Sequence, residues 1–412
     1  MKKIIITGAQ FGNKGAQALL FCFVSSIRDM LPECEIDYFP LDYYYPYKKN
    51  DYKFNIIYND PIAHKFENGG LDRIYAVFKA FLKKVLQGKG PSLSELSELG
   101  KSYSTADLLV DLSGYQLASS WSKKTNLNYL WYIQTANKHN VPVILFPQSF
   151  GPFHYGKSQK KMDRLIKNTL DKVKVIYARE KNGADLLRQK YNLKNVYVST
   201  DFVLQSGEPK FENIYNISKK IENQPNVIKQ PNIKRIGIVP NYQNFRHGDG
   251  ENVINLYKYI IDELLRLGNE IIIFRHSEDL DICKIIYSNY KNNPRVILEE
   301  TDFSCFTYSK YIEQFDFLVA ARYHAIVNGY KKGIPSIVLG WAEKYKSLTD
   351  LFNQKNYIIN TNDIYNQSYI KNVVNNMNSN YKNEQQIIMN KYNKIRSNCC
   401  IETAITYIKK NG

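Results

Sequence analysis

The chain has 412 residues, of which 44% are hydrophobic, and it carries a formal net charge of +17 with a pI near 9.3. This length exceeds what one ordinary hydrophobic core fills, and the composition excludes a disordered or fibrous protein. The basic balance favours anionic partners such as phosphorylated substrates, an anionic membrane surface or nucleic acid. Because the lysines are scattered and no nucleic-acid-binding motif is present, we do not expect nucleic acid among the partners.

The six cysteines and the first residues bear on the cellular compartment. No two cysteines form a CxxC pair, which argues for a reducing environment and against a structural zinc site. The apolar run after the two N-terminal lysines is too short for the core of a signal peptide, and no apolar run has the length of a membrane span. We therefore expect a cytoplasmic protein.

Apolar runs rich in β-branched residues predict strands of the buried, parallel kind. In the first half of the chain they lie at residues 2–7, 106–113, 141–147 and 173–178. After residue 234 the pattern restarts, with strands at 235–240, 270–274, 295–298, 316–320 and 334–339. Helical periodicity lies between them, for example at 15–30 and 157–172, and this alternation indicates parallel sheets covered by helices on both faces.

Two such series predict an α/β protein of two Rossmann-like, doubly wound domains that face a cleft, a GT-B-like arrangement. The expected divisions are an N-terminal domain at 1–205 with an insertion at about 45–100, a linker at 206–233, a C-terminal domain at 234–365, and C-terminal helices at 366–412 that can pack back on the first domain. Ligands of such sheets bind beyond the carboxyl ends of the strands, so the residues that follow strands are the candidates for function.

The glycine-containing segment after the first strand is one candidate. Its glycines allow a tight turn, and the following helix offers backbone N–H groups to an anion or an acceptor. The residues concerned are Gly12, Asn13, Gly15 and Gln17. The spacing matches neither GxGxxG nor a P-loop, and an ordinary joint between a strand and a helix explains most of it.

Two more candidates follow strands in the first half of the chain. Asp111 ends a predicted strand just before Gly114, where a carboxylate can take a proton from a sugar hydroxyl or simply cap the next turn. Arg179 follows another predicted strand, where its planar guanidinium suits a carboxylate or a phosphate. The alternative for Arg179 is a surface pair with Glu180.

The second half contains the sharpest pattern. Arg322 and His324 lie two residues apart at a strand end, before a helix, and so combine a fixed cation, a proton donor near neutral pH and a helix dipole. A buried histidine bonded to the backbone is the alternative, and we favour function. His276 follows an earlier strand, where it can add positive charge or belong to a helix cap formed by Ser277 or Asp279.

Five segments in this order resemble the polysaccharide pyruvyl transferase family. They are GNKGAQALL, DLLVDLSGYQL, VIYARE, NVYVSTDFVL and ARYHAIVNGYKKGIPSIVLGWAEKYKSL, within roughly residues 4–350. The resemblance implies phosphoenolpyruvate as co-substrate, and we expect no other cofactor. No clustered His, Cys or carboxylate set has metal-ligand spacing in the sequence, so we expect no metal. The resemblance also implies a pyruvate ketal as product, on a sugar of a cell-surface polysaccharide or of its lipid-linked precursor.

The resemblance and the strand-end positions together suggest a role for each candidate. His324 and Asp111 are the expected catalytic acid and base, and the loop glycines with Gln17 are expected near the acceptor. The expected donor-binding residues are Arg179, Arg322, His276 and Lys344. The chain departs from the family pattern at Gly15-Ala16-Gln17 and at Leu112-Ser113-Gly114, so the acceptor sugar stays undefined.

Two other functions fit the same fold. A nucleotide-sugar glycosyltransferase of the retaining GT-B kind often carries two glutamates eight residues apart, but Ala320 and Asn328 occupy those positions here. Inverting glycosyltransferases lack that signature and remain an alternative. A non-catalytic glycan-binding protein of the same fold is the third interpretation.

The segment Leu71–Gln87 has the pattern of a basic amphipathic helix. Its apolar residues on one face are Leu71, Ile74, Tyr75, Phe78, Phe81, Leu82 and Val85. Lysines and an arginine lie largely elsewhere. The helix can therefore lie on the inner face of an anionic membrane, or the stripe can pack into the protein core. The second interpretation is slightly favoured because most such helices in enzymes are core helices.

Overall fold

The computed structural model describes residues 1–42, 48–88, 90–216, 232–247, 249–340, 342–360, 366–396 and 400–410. The chain divides into two compact units. The first comprises Met1–Phe11, Ala16–Lys219 and Asn398–Gly412, and the second comprises Gly12–Gly15 and Lys220–Ser397. Most of the predicted linker, residues 217–231, lies outside the described residues.

A parallel sheet of seven strands forms the centre of the first unit. Its strands are β1 (Lys3–Thr7), β2 (Glu35–Tyr38), β3 (Asn55–Ile56), β4 (Leu108–Asp111), β5 (Val143–Gln148), β6 (Val175–Ala178) and β7 (Val196–Val198), in the spatial order β3-β2-β1-β4-β5-β6-β7. The helices are α1 (Lys14–Met30), α2 (Pro61–Asn68), α3 (Gly70–Gln87), α4 (Leu93–Thr105), α5 (Lys123–Lys138), α6 (Gln159–Leu170), α7 (Lys181–Tyr191), α8 (Phe202–Gln205) and α9 (Phe211–Ile214).

Burial on both faces explains why the central strands of this sheet are apolar runs. Ile4, Ile5 and Ile6 of β1 have no exposed surface, because helices cover both sides of a parallel sheet. The four strands predicted in this half are confirmed as β1, β4, β5 and β6. The sequence did not reveal β2, β3 and β7, because each has at most four residues and carries polar or exposed side chains.

The second unit contains a parallel sheet of six strands. They are β8 (Arg235–Val239), β9 (Glu270–Phe274), β10 (Val296–Glu299), β11 (Phe317–Ala320), β12 (Ser336–Gly340) and β13 (Ile358–Asn360), in the order β10-β9-β8-β11-β12-β13. Its helices are α10 (Tyr242–His247), α11 (Gly250–Arg266), α12 (Leu280–Tyr287), α13 (Cys305–Ile312), α14 (Tyr323–Lys331), α15 (Glu343–Leu351) and α16 (Gln367–Ile395). All five strands predicted here are present, and only the short β13 was not predicted.

The two C-terminal helices belong to different units. Helix α16 packs within the second unit, where Met389 lies against Gly333. The last helix, α17 (Cys400–Lys410), belongs to the first unit. There the hydroxyls of Thr403 and Tyr177 lie 2.7 Å apart, and the Cys400 amide donates to Gln205 at 3.0 Å. None of the described helices combines the length and the apolar content that crossing a membrane requires.

His64 in helix α2 makes the stability of the first unit depend on pH. Its ring is buried, stacks on Trp131 at 3.9 Å between centroids, and its Nε2 lies 2.7 Å from Asn59 Oδ1. Burial lowers the pKa of His64 to about 4, against a weaker opposing effect of Asp60. In the unfolded chain His64 binds a proton near pH 6.5, whereas in the folded unit it stays neutral until about pH 4. The contribution of His64 to the free energy of unfolding is therefore fully present above pH 6.5 and is lost as the pH falls.

We expect the free energy of unfolding of the first unit to contain a loss of about 3 kcal/mol between pH 6.5 and pH 4 that is due to His64. Urea titrations of wild type and His64→Gln over this range measure it, because the variant should lack that part of the pH dependence. His154→Gln is the matched control, since His154 is exposed. Equal pH dependence in His64→Gln and wild type would contradict the prediction.

Candidate functional site

In the second unit, the residues that follow β9 form a buried polar group. His276 has its Nδ1 3.0 Å from the Ser277 hydroxyl, and its ring packs edge-on against Tyr308. No described residue bonds to its Nε2. Burial lowers the pKa of His276 well below its usual value, and the charges of Arg322 and Lys14 act in the same direction. His276 is therefore neutral and can contribute a hydrogen bond to a ligand, but not positive charge.

Arg322, at the end of β11, is held by two carboxylates. Its Nε and Nη2 donate to Asp279 at 2.7 and 2.5 Å, and Nη2 also donates to Glu278 at 3.0 Å. Asp279 stands at the N-cap of α12 but makes no capping bond, since its side chain is used by Arg322. Burial disfavours the guanidinium charge, but the two carboxylates outweigh it and raise the pKa of Arg322. These bonds leave Nη1 for a ligand.

His324 lies in the first turn of α14, against a backbone that only glycine allows. A Cβ on Gly15 would stand 2.2 Å from Nδ1 of His324, far inside van der Waals contact. The amide of Gly15 donates to the side chain of Asn13 at 3.0 Å, which holds the turn after Gly12 in this position. Helix α14 has no side-chain cap, so the positive end of its dipole is available to an anion.

Two further cations of this unit, Lys14 and Arg275, lie beside the polar residues His276 and Ser277. The ammonium of Lys14 and the guanidinium of Arg275 both pair with Asp302, the latter at 2.5 Å. Lys14 is buried and Arg275 is mostly buried, whereas the Asp302 carboxylate is about half exposed. Burial lowers the pKa of Lys14, although Asp302 works against that change. A carboxylate that bridges two cations marks a position where an anionic ligand is also accommodated.

Lys344, in helix α15, lies near the start of α14. Its ammonium is 5.7 Å from the ring centroid of Tyr323 and 5.3 Å from that of Tyr345. Tyr323 in turn packs edge-on against the His324 ring, with 5.4 Å between centroids. The structure therefore gathers most of the predicted donor-binding residues in the second unit, around the N-terminus of α14.

In the first unit, Asp111 at the end of β4 is fully buried among hydrogen-bond donors. Its carboxylate accepts from the hydroxyls of Thr7 and Ser113, both at 2.9 Å, from the Ser113 amide at 3.1 Å and from the Gln148 amide group at 3.1 Å. Burial raises the pKa of Asp111, and these hydrogen bonds oppose the rise. The bond from the Ser113 amide is the turn cap that the sequence offered as the alternative. Ser113 itself is partly exposed, so its hydroxyl links the buried Asp111 carboxylate to the surface of the unit.

Arg179, which the sequence suggested as a donor ligand, is engaged by partners of its own unit. Its Nη1 donates to Asp201 at 2.9 Å, its Nη2 to the Ser149 hydroxyl at 2.7 Å, and its Nε to Glu180 at 3.2 Å. The side chain is buried, so the pair with Glu180 is part of an internal network, not the surface pair that the sequence left as the alternative.

The two remaining predicted positions are also in the first unit. Gly114 has a φ of 64°, which favours glycine, and its carbonyl accepts from the Ser149 amide at 2.8 Å. Gln17 lies in the first turn of α1 and is partly buried. Asp111 and Gly114 thus follow β4 of the first sheet, whereas His276 and Arg322 follow β9 and β11 of the second, as expected for doubly wound sheets.

Sequence reasoning missed Lys14, Arg275 and Asp302. Arg275 directly precedes His276 and could have been found by applying the strand-end rule to the whole run after β9. Lys14 looked like one of many scattered lysines, and its partner lies 288 residues away in the sequence. Among the described residues, no group of three or more histidine, cysteine, aspartate or glutamate side chains could hold a metal ion.

A family model described as polysaccharide pyruvyl transferase matches residues 13–343 of the chain. A search of curated proteins finds no significant match.

Solved structures of similar fold include an S. aureus TarM structure that contains UDP. It shares 12% identity at a TM-score of 0.56, over 100% of this chain and 99% of that one. The UDP-GlcNAc 2-epimerase of Neisseria meningitidis, bound to UDP-GlcNAc, shares 13% identity at a TM-score of 0.53, over 98% and 100%. The corresponding epimerase of Methanocaldococcus jannaschii shares 12% identity at a TM-score of 0.54, over 91% and 92%. At these identities the similarity shows the fold, two doubly wound α/β units of the GT-B kind, and nothing about the ligand.

Proposed function

Because the chain belongs to the polysaccharide pyruvyl transferase family, we propose that it moves a pyruvyl group from phosphoenolpyruvate to two hydroxyls of a sugar, forming a pyruvate ketal. The proposed acceptor is a cell-surface polysaccharide or its lipid-linked precursor, and the proposed place of work is the cytoplasm. The single observation that carries the proposal is the group of cations around His324 and the uncapped N-terminus of α14.

Phosphoenolpyruvate matches that group of cations in charge. Phosphoenolpyruvate carries up to three negative charges on two neighbouring groups, which require several cations and directed N–H donors. Lys14 and Arg275 supply two cations that Asp302 bridges, and Lys344 supplies a third. Arg322 is the fourth cation, and its Nη1 supplies an N–H group. Neutral His276 adds a hydrogen bond through Nε2. In this proposal Arg179 positions Ser149 and Asp201 and does not bind the donor directly.

The reaction moves two protons, one from each acceptor hydroxyl, and delivers one to the methylene carbon and one to the departing phosphate. His324 is the proposed acid that protonates the methylene carbon of phosphoenolpyruvate, and the acceptor hydroxyl adds to the neighbouring carbon. Asp111 is the proposed base for an acceptor hydroxyl, because its carboxylate accepts from the Ser113 hydroxyl and burial raises its pKa. The C–O bond to phosphate then breaks, and a second acceptor hydroxyl adds to the same carbon to close the ketal. The proton of that second hydroxyl leaves with the phosphate as hydrogen phosphate.

Gly15 should be as important to this reaction as the histidine it touches. In Gly15→Ala the new methyl group must displace the His324 ring, because the ideal Cβ position lies 2.2 Å from Nδ1. We expect turnover to fall by at least about tenfold, since misplacing a catalytic group by about 1 Å can cost 10²-fold. Gly207→Ala is the matched control, because nothing lies within 4 Å of a Cβ there. Equal turnover in the two variants would show that His324 is not held by this contact.

Calorimetric titration with phosphoenolpyruvate, UDP-sugars and free glycans tests the proposal directly. We expect saturable binding of phosphoenolpyruvate, release of phosphate when an acceptor glycan is added, and no change in the rate of that release with EDTA. Loss of activity in EDTA that magnesium or manganese restores would contradict the metal-free step. Binding of a nucleotide sugar in place of phosphoenolpyruvate would replace the proposal with a glycosyltransferase. Glycan binding alone would make the protein a non-catalytic member of the family.

A further inference from the structure

Helix α3 buries small side chains and exposes large apolar ones, which is the reverse of a core helix. The two residues that it buries are small, Ala76 and Ala80, and they lie one turn apart on the side that faces the first unit. Large apolar residues lie on the outer side. Their exposed fractions include 86% at Leu71, 58% at Phe78 and 63% at Phe81. The stripe that the sequence slightly favoured as core is therefore on the surface of the described chain.

This outer stripe runs along the whole helix. It comprises Leu71, Ile74, Tyr75, Val77, Phe78, Phe81, Val85 and Leu86, all exposed. At 3.6 residues per turn these positions centre on the side of the helix opposite Ala76 and Ala80. Eight exposed large apolar side chains on one helix form a patch of the kind that marks an interaction surface.

Basic residues border the stripe on both sides. Lys79 follows it along one edge, and Arg73 and Lys84 follow it along the other. Lys83 lies nearer the buried side, where its ammonium is 3.8 Å from the Asp60 carboxylate. Asp72 is the only acidic residue of the helix. Lys65 of the neighbouring α2 adds a charge at the same edge, with its ammonium 3.9 Å from the ring centroid of Tyr75. Lysines at the border can extend their charged ends to a plane in which the apolar side chains are immersed.

We infer that helix α3 docks the protein on the surface of an anionic lipid bilayer. An apolar face flanked by lysines, on a helix that does not itself span a membrane, is the pattern of an interfacial helix. Each lysine near the surface is attracted to anionic headgroups. A second copy of the chain is a poorer occupant, because a twofold contact would place two basic borders against each other. The inference rests on α3 alone and does not depend on the proposed activity.

Vesicle flotation tests the inference with the full chain. The protein should float with vesicles of phosphatidylcholine and phosphatidylglycerol at low salt, less at high salt, and poorly with phosphatidylcholine alone. Phe78→Ser with Phe81→Ser should lower the partition coefficient at least about tenfold. Lys79→Gln with Lys84→Gln should lower it about fivefold for each lysine removed. Both pairs are on the surface, so circular dichroism should match wild type.

Two control pairs separate this helix from the general surface. Leu127→Ser with Ile285→Ser removes exposed apolar side chains elsewhere, and Lys160→Gln with Lys161→Gln removes exposed charges from α6. Both should float as wild type does. The Phe78 and Phe81 variant should also keep its rate on a water-soluble acceptor, which distinguishes lost docking from lost catalysis.

Three results would overturn the inference. One is wild-type protein that stays off anionic vesicles at low salt. Another is flotation that none of the α3 substitutions changes. The third is a dimer in light-scattering measurements that disappears in the Phe78 and Phe81 variant without any vesicle binding, which would assign the stripe to a contact between copies of the chain.

Discussion

Replacing His324 by alanine should lower turnover by about 10²-fold or more, the contribution expected of a general acid. The ring lies at the start of α14, and the rings and backbone that surround it, Tyr323 and Gly15, fix its position. Affinity for phosphoenolpyruvate should change much less than turnover, because the surrounding cations remain. Steady-state kinetics together with calorimetry measure the two quantities separately. His154→Ala is the matched control, since that histidine is exposed.

The pH profile gives a second test of the same assignment. If a general acid limits the reaction, the wild-type rate should fall at alkaline pH, and this fall should be absent from the residual activity of His324→Ala if His324 is that acid. An alkaline limb that survives in the variant would assign the titrating group to another residue. Near wild-type turnover in His324→Ala would remove His324 from the reaction.

Replacing Arg322 by alanine should destabilise the second unit by about 3–5 kcal/mol, because it leaves a buried carboxylate without its partner. Asp279 has no exposed surface and accepts two bonds from the guanidinium. Urea unfolding of wild type and variant measures the difference. Arg188→Ala is the matched control, since the side chains of Arg188 and Asp185 are 44% and 36% exposed and their pair should be worth about 0–1 kcal/mol.

A double variant separates structure from binding at this position. Arg322→Met with Asp279→Leu removes both members of the buried pair, so stability should recover relative to Arg322→Ala, because the carboxylate that remains, Glu278, is mostly exposed. Affinity for phosphoenolpyruvate should stay low, since Nη1 is lost. Unchanged stability in Arg322→Ala would show that Asp279 needs no partner. Wild-type affinity in the double variant would remove Arg322 from the donor site.

The prediction for Arg322 differs from what the sequence alone suggested, whereas the one for His324 does not. From the pattern Arg322-Tyr323-His324, the arginine was expected to be a donor ligand. The structure shows that most of its guanidinium is bound to Asp279, 43 residues earlier in the chain. Arg179 is likewise surrounded by Asp201, Glu180 and Ser149. No local pattern announces such partners, because ion pairs form between segments that only the fold brings together.

The sequence by itself determined the fold class and the region to search. Nine apolar runs, each of strand length, alternate with helical periodicity, and burial on both faces of a parallel sheet requires such runs. Candidate residues follow from the same rule, because strand ends are where this fold binds ligands. The short strands β2, β3, β7 and β13 escaped prediction, since two to four residues with polar neighbours do not form a periodic signal.

Only the tertiary structure decided which charged side chains have ion-pair partners and whether the apolar stripe of helix α3 faces the core or the surface. Lys14 belongs to the candidate site because it pairs with Asp302. His276 is neutral because burial and the neighbouring cations lower its pKa. Helix α3 has the same periodicity whether its apolar face is inside or outside. Two alanines on the opposite side let the helix pack closely that way, and the phenylalanines were left on the surface. Periodicity is a local property of the chain, whereas burial and pairing depend on what packs against it.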